Sequence, residues 1–289
     1  SLPEKGSLKP KGLAQTMADE IGICVMVCTP PAITTSLYPL EMLRAQAMNA
    51  EHMLDRYDAV FAMRNIAADK KRDILKQVYE KESFHAVKTE IATQLLGDKA
   101  SESIVRMALR DKDALVKKGV MLNTKTIEPS MIADYEPLLT GDSYFMIAAA
   151  LEKLCAAAPA NTAKYLAITK DLPGTNGRNV QIKGLEIAAS QNGDAAAQNQ
   201  LVAFTSNSYE FVTRTNAMAA LRRLNYCDAT LVANCISACL TSNGRLSGPA
   251  TETVKYFYGQ HKYKKLINDA VVANAATGKD RDVLNALIN

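Results

Sequence analysis

Apolar residues recur three and four positions apart along the chain from about residue 40, and Ala, Leu, Lys, Glu and Met dominate this part of it. Such spacing places apolar side chains on one face of an α-helix. Polar breaks that contain Gly, Asn, Asp or Pro interrupt the pattern every 12–18 residues. The pattern therefore predicts successive helical hairpins. The breaks lie at 96–98, 140–142, 173–177, 191–194 and 242–244.

Three segments of the chain resemble one another. Each opens with Ser and an aromatic residue and has Val or Ile four positions after the Ser, and they begin at Ser83, Ser143 and Ser208. Their starts lie 60 and 65 residues apart, and a weaker unit lies in each gap, at 113–120 and 177–185. The implied period is about 30–35 residues, which with two helices per unit is typical of an α-solenoid.

The repeated segments resemble HEAT-type repeats over roughly residues 50–260. The second helix of such a repeat typically opens with Asp, followed by Val and a basic residue. The matches are Asp113 with Val116-Lys117 and, in part, Val87-Lys88 and Val212 with Arg214. The resemblance implies an all-α, right-handed α-solenoid of about seven hairpins. It also implies that these basic residues pair with Asp side chains of neighbouring repeats.

The two ends of the chain differ from its middle. Residues 1–12 are rich in Lys, Pro, Gly and Ser, which is typical of a linker. The apolar run 21–28 predicts either a strand or a first buried helix, and it is too short to cross a bilayer. We expect a linker and N-terminal segment at 1–40 and the helical domain at 41–289, with no membrane association. The charged start of 279–288 predicts a short capping helix.

Charge disfavours nucleic acid as the partner. The chain has 34 Lys+Arg against 30 Asp+Glu, a small excess, whereas nucleic-acid binders concentrate positive charge on one face. The segment 256–265 interleaves aromatic with basic residues. It predicts either a surface that stacks bases and holds phosphates, or a terminal helix with its aromatics inward and its lysines in water. Its candidate binding residues are Tyr258, His261, Lys262, Tyr263, Lys264 and Lys265.

Candidate metal and catalytic residues do not form a recognisable motif. His52, His85 and His261 are too far apart for the HExxH pattern that binds zinc, so we expect them in solvent or at helix caps. The six Cys form no CxxC pair, and Cys235 and Cys239 share one helix face, which predicts buried thiols.

Nucleophilic and phosphate-binding motifs are also missing from the sequence. No GxSxG motif occurs, and the glycines of 173–178 follow no strand and precede no Lys-Ser/Thr pair, so this segment predicts a loop between helices. We therefore expect neither a catalytic residue nor a cofactor in this chain.

The segment 41–60 resembles the beginning of the C-terminal helical domain of aminopeptidase-N-like zinc peptidases, through Ala50, Asp55-Arg56 and Ala59. The segment 141–151 is similar to another part of such domains. The resemblance implies a non-catalytic domain that closes over the active site and restricts peptide access, with zinc held only by a preceding domain. The run 21–28 would then be the remnant of a β domain, and the start at Ser1 suggests a processed or excised chain.

Two other functions stay open from the sequence. A stand-alone HEAT-like scaffold would bind a protein or peptide in a concave groove. A nucleic-acid binder would use the segment 256–265. The sequence fixes no compartment, although a cytoplasmic location is favoured.

Overall fold

Sixteen α-helices and four short 3₁₀ helices form residues 39–274 and 279–288, the part of the chain that the computed structural model describes. The α-helices are α1 (Leu40–Asn49), α2 (Met53–Ala62), α3 (Ala68–Lys81), α4 (His85–Gln94), α5 (Glu102–Leu109), α6 (Ala114–Asn123), α7 (Ile132–Tyr135), α8 (Tyr144–Ala157), α9 (Thr162–Thr169), α10 (Gly174–Asn192), α11 (Ala195–Ala203), α12 (Phe211–Arg223), α13 (Ala229–Cys239), α14 (Gly244–Tyr258), α15 (His261–Asn274) and α16 (Lys279–Asn285). The 3₁₀ helices are Lys99–Ser101, Pro129–Met131, Glu136–Thr140 and Pro159–Asn161. These residues contain no strand, so the all-α prediction is confirmed for them, while the run 21–28 lies outside them.

Polar side chains cap five of the helices. Each of these capping residues accepts a hydrogen bond from a backbone N–H in the first turn of its helix, which otherwise has no partner. The capping residues are Asp113, Ser143, Asp194, Asp228 and Asn243. Three of them lie at or beside predicted breaks, which therefore mark the starts of α8, α11 and α14.

The predicted loop at 173–178 is wrong, because α10 already begins at Gly174. Gly174 has φ +71°, a conformation that side chains other than glycine rarely adopt. A Cβ at Gly177 would overlap the carbonyl group of Leu172. The two glycines let the first turn of the helix form directly after Pro173, so residues that look like a loop by composition are helical.

The described residues form two compact units, divided after Lys71. In the first unit, α1 packs against α2, and Leu43 and Val60 are buried. The guanidinium of Arg56 donates to the carbonyl oxygens of Ala50 at 3.0 Å and Glu51 at 2.9 Å. The Asp55-Arg56 segment thus holds the turn between the two helices.

Alternate helices of the second unit pack on one another. The contacts run from α4 to α6, and then through α8, α10 and α12 to α14. These six helices, called the even helices below, begin at residues 85, 114, 144, 174, 211 and 244, which lie 29–37 residues apart. The intervening helices α5, α9 and α11 each pack on the even helices before and after them. The segments with similar sequence therefore open equivalent helices.

Ion pairs join residues about one period apart in the sequence. On the even helices, Lys183 of α10 pairs with Glu152 of α8 at 3.4 Å. Two pairs involve α12: Arg223 contacts Glu186 of α10 with nitrogen to oxygen distances of 2.5 and 2.7 Å, and Arg222 contacts Glu252 of α14 at 3.2 Å. These pairs, called the ionic ladder below, tie α8, α10, α12 and α14 together.

One apolar core runs from α10 to α16. Cys235 and Cys239 belong to it at 1% and 6% exposure, so the prediction that their helix face is buried is confirmed. The predicted terminal helix is confirmed as α16, and its Leu284 joins the same core together with Leu287 in the turn that follows. Within residues 39–274 and 279–288, no helix is both long and apolar enough to span a bilayer.

Glycine at position 119 sets the approach of α6 to α4. A Cβ at Gly119 would overlap the side chain of Thr89 on α4. We expect Gly119→Ala to lower the free energy of unfolding by about 1–3 kcal/mol, because the added methyl group overpacks a close contact. Urea denaturation followed by circular dichroism measures this change.

The matched control is Gly244→Ala at the first residue of α14, where a Cβ would meet no atom within 4 Å. This substitution should change the free energy of unfolding by less than about 1 kcal/mol, because it adds no overlap and alanine favours the helix. The variant Thr89→Ala/Gly119→Ala should recover part of the loss. Equal effects of the two glycine substitutions would contradict the close approach.

Candidate functional site

The aromatic residues of the segment 256–265 lie at the end of α14 and the start of α15, and part of them joins the core. Phe257 is 1% exposed. Its ring meets Tyr256 and Tyr263 edge to face, with centroids 5.0 and 5.3 Å apart. The Tyr263 hydroxyl donates to the carbonyl oxygen of Asn225 at 2.8 Å. These contacts tie the two helices to the turn after α12.

The basic residues of the same segment are exposed. The ammonium nitrogen of Lys264 lies 5.1 Å from the ring centroid of Tyr258, and that of Lys262 lies 4.3 Å from the ring centroid of Tyr263. Lys265 pairs with Asp269 one turn later at 2.5 Å. Lysines held over aromatic rings are attracted by the electron-rich ring faces, which fix the position of the ammonium groups.

The structure brings four of the six candidate binding residues together. An open depression of about 340 Å³ is lined by Tyr258, His261, Lys264, Lys265 and Asn268. Lys262 and Tyr263 do not line it. That these residues bind a ligand stays a prediction.

A buried polar cluster of Tyr79, Lys88 and Asp111 was not predicted as a unit. The carboxylate of Asp111 accepts hydrogen bonds from the Tyr79 hydroxyl and the Lys88 ammonium, both at 2.8 Å. Burial, and then the neighbouring carboxylate, raise the pKa of Tyr79. Burial alone would raise the pKa of Asp111, but the hydrogen bonds from Lys88, the Asp113 backbone and Tyr79 hold it below its usual range. The cluster is a structural link between α3, α4 and the start of α6.

The predicted pairing of basic residues with Asp holds for one of the three positions. Lys88 pairs with Asp111, as expected. The prediction is wrong for Arg214, whose guanidinium donates to the carbonyl oxygens of Thr205 at 2.9 Å and Asn234 at 3.5 Å. Burial lowers the pKa of Arg214. Its position inside α12 directs it at one carbonyl just after α11 and one within α13, which a sequence pattern does not reveal.

The described thiols are buried or half-buried. Burial raises the pKa of Cys155 and Cys239, and it raises the pKa of Cys227 to about 12. High pKa values keep these thiols protonated and poorly nucleophilic. Cys24 and Cys28 lie outside the described residues.

The three histidines are separated in the structure as in the sequence. His52 and His261 are exposed at the starts of α2 and α15. His85, at the start of α4, has its Nδ1 3.9 Å from the Asp113 carboxylate. Among residues 39–274 and 279–288, no group of three His, Cys, Asp or Glu side chains is arranged to hold a metal ion.

A cavity of about 330 Å³ lies among α9, α10 and α11. Its lining is mostly apolar and includes Leu166, Leu185 and Ala188, with Lys170 and Asp194 as its charged members. Gly184 belongs to the lining, in contact range of the Leu166 side chain. The Asp194 carboxylate is occupied as the cap of α11. The cavity is mostly apolar, and its two charged residues match no particular ligand.

Comparison with protein-family models and with curated protein sequences finds no match to this chain.

The cluster of Tyr79, Lys88 and Asp111 generates a stability prediction. The side chains of Lys88 and Asp111 are 15% and 6% exposed, so Lys88→Met should leave a buried carboxylate without its cation and cost about 3 kcal/mol at pH 7. Lys265→Met is the control, because the Lys265 side chain is 87% exposed in its pair with Asp269. This substitution should lower the free energy of unfolding by less than about 1 kcal/mol. Urea denaturation measures both.

The pH dependence of this difference follows from the lowered pKa of Asp111. A carboxylate whose pKa is lower when folded stabilises the fold above its unfolded pKa of about 3.9, and this contribution disappears as the pH falls through the folded value. We expect the gap between the wild type and Lys88→Met to narrow as the pH falls from 7, because Asp111 takes up its proton in the folded variant before it does so in the folded wild type. A gap that stays constant to pH about 2 would contradict the role of the ion pair.

Proposed function

We propose that the chain is a non-catalytic, HEAT-like helical domain that holds a protein or peptide. The observation that carries this proposal is the way in which the even helices pack: each one packs on the next even helix, which begins about 30 residues later. Stacked two-helix units cover one another's apolar faces and create an extended surface, which is how repeat scaffolds bind polypeptides. The ionic ladder supports the same reading, since it fixes the even helices side by side.

The architecture that we propose for this domain is a right-handed α-solenoid of about seven hairpins. Its concave side would be the groove for the polypeptide. The proposal draws on the spacing of the even helices and on the odd helices α5, α9 and α11 that pack between them.

The domain's place in a larger assembly is proposed from the sequence resemblance. A helical domain that covers the active site of a zinc aminopeptidase would use such a surface to restrict peptide access, with zinc held by another domain. The role of Arg56 in holding the turn between α1 and α2 gives the Asp55-Arg56 segment a structural reason to occur. Peptidase activity would then require a catalytic domain in addition to these helices.

A photocrosslinking experiment tests the binding role. A benzophenone amino acid replaces Phe145 on α8 or Tyr256 on α14, which are 53% and 44% exposed, or the control residue Ile168 on α9, which is 41% exposed. In cells that produce the protein, we expect polypeptide adducts from an even-helix position and fewer from Ile168. Adducts from none of the three positions would contradict the binding role.

An activity assay tests the non-catalytic part of the proposal. The purified chain, supplemented with zinc, is incubated with an aminoacyl-anilide, and released aniline is measured beside a known zinc aminopeptidase. We expect no turnover above the zinc-only blank. Turnover that a chelator abolishes would contradict the proposal.

A further inference from the structure

Three large apolar side chains lie exposed on neighbouring even helices. Leu115 and Leu122 of α6 are 49% and 54% exposed, and Phe145 at the start of α8 is 53% exposed. Leu115, Lys118 and Leu122 fall at positions i, i+3 and i+7, so they share one face of α6. The Lys118 ammonium lies 5.4 Å from the ring centroid of Phe145, which connects this face to α8. We call Leu115, Lys118, Leu122 and Phe145 the α6–α8 patch.

The opposite face of α6 explains why this patch points outward. Val116 and Val120 are fully buried. The helix has therefore already used its inner face for packing. Exposed leucines two turns apart contribute nothing to that core and leave apolar area in water.

The charge around the patch is positive. Residues 112–125 contain four Lys and one Asp, and the carboxylate of that Asp113 caps α6 through the backbone N–H of Leu115. In the described part of the chain, no carboxylate forms an ion pair with Lys112, Lys118 or Lys125, which are exposed. Lys183 of the ionic ladder, by contrast, is paired. Lys118 lies in the apolar row, Lys112 and Lys125 lie beyond its two ends, and these cations stay available.

From this geometry we propose that the α6–α8 patch docks an acidic amphipathic helix of a partner protein, an inference that rests on the proposed binding function and names its partner class. Leu115 and Leu122 lie about 10.5 Å apart along α6, which is two helical turns. An apolar row of that period matches the face of a second helix laid along it. Glu or Asp side chains beside the partner's apolar row would meet the free lysines.

Two other occupants fit the observations less well. Nucleic acid would leave three large apolar side chains against phosphates. An anionic membrane would attract the lysines, but the strength of membrane binding grows with the apolar area that is buried, and three side chains supply little of it. Both are included as outcomes of the test.

The test uses fluorescein-labelled synthetic peptides and the whole chain. The probe is a 15-residue helix-forming peptide with Leu at helical spacing and Glu elsewhere, and the matched peptides carry Gln or Lys in place of Glu. Fluorescence anisotropy is measured at about 0.05 M and about 0.5 M salt. We expect the Glu peptide to bind at least about tenfold more tightly than the Gln peptide, and we expect its binding to weaken at high salt. The Lys peptide should not bind.

Variants locate the binding. Lys118→Glu/Lys125→Glu and Leu115→Ser/Leu122→Ser change exposed side chains, and each should weaken binding of the Glu peptide at least about tenfold. The controls are Lys255→Glu and Val272→Ser on α14 and α15, also exposed, which should leave binding unchanged. Thermal unfolding by circular dichroism confirms that all variants fold.

Several results would overturn the inference. The first is no saturable binding of the Glu peptide at low salt, and the second is an equal loss of peptide binding in the control variants. The third is a set of patch variants that still bind the Glu peptide and lose only self-association or the binding of anionic vesicles or DNA. If crosslinked polypeptide adducts form at Tyr256 while the Glu peptide fails to bind, the binding function stands and this partner class is wrong.

Discussion

The fold depends on the coverage of short apolar helix faces by neighbouring helices. Most helices of the second unit have 7–15 residues, too few to be stable alone in water. Each even helix gains burial from the next even helix and from the odd helices beside it, and the apolar core from α10 to α16 is the sum of these contacts. The cluster of Tyr79, Lys88 and Asp111 and the ionic ladder contribute less to apolar burial than to the spacing of the helices, because they hold neighbouring helices at fixed separations.

Much of the helical organisation could be predicted from the sequence. The polar breaks give the helix starts because their Asp, Asn and Ser side chains cap the first turn, as Asp194 and Asn243 do. The repeated segments that begin at Ser83, Ser143 and Ser208 lead into α4, α8 and α12, although only Ser143 caps its helix through its side chain. Local chemistry was sufficient for the capped starts, and the apolar spacing was sufficient for the other two.

Features that depend on tertiary contacts could not be predicted. The glycines at 174 and 177 resemble a loop by composition, although they allow a helix to begin against Leu172. Arg214 fits a repeat pattern that pairs with Asp, yet the residues placed near it present carbonyl oxygens. The α6–α8 patch was missed because leucines at helical spacing indicate a core face, and only the packing of Val116 and Val120 shows that Leu115 and Leu122 point away from it.

The central claim is that each hairpin depends on its neighbours alone, and hydrogen exchange by mass spectrometry tests it most directly. In a stacked array, a cavity at the buried Leu231 of α13, made by Leu231→Ala, should weaken the hairpins it touches. The account predicts faster amide exchange in α12–α15 and unchanged exchange in α5 and α6. Equal acceleration in all helices would contradict it.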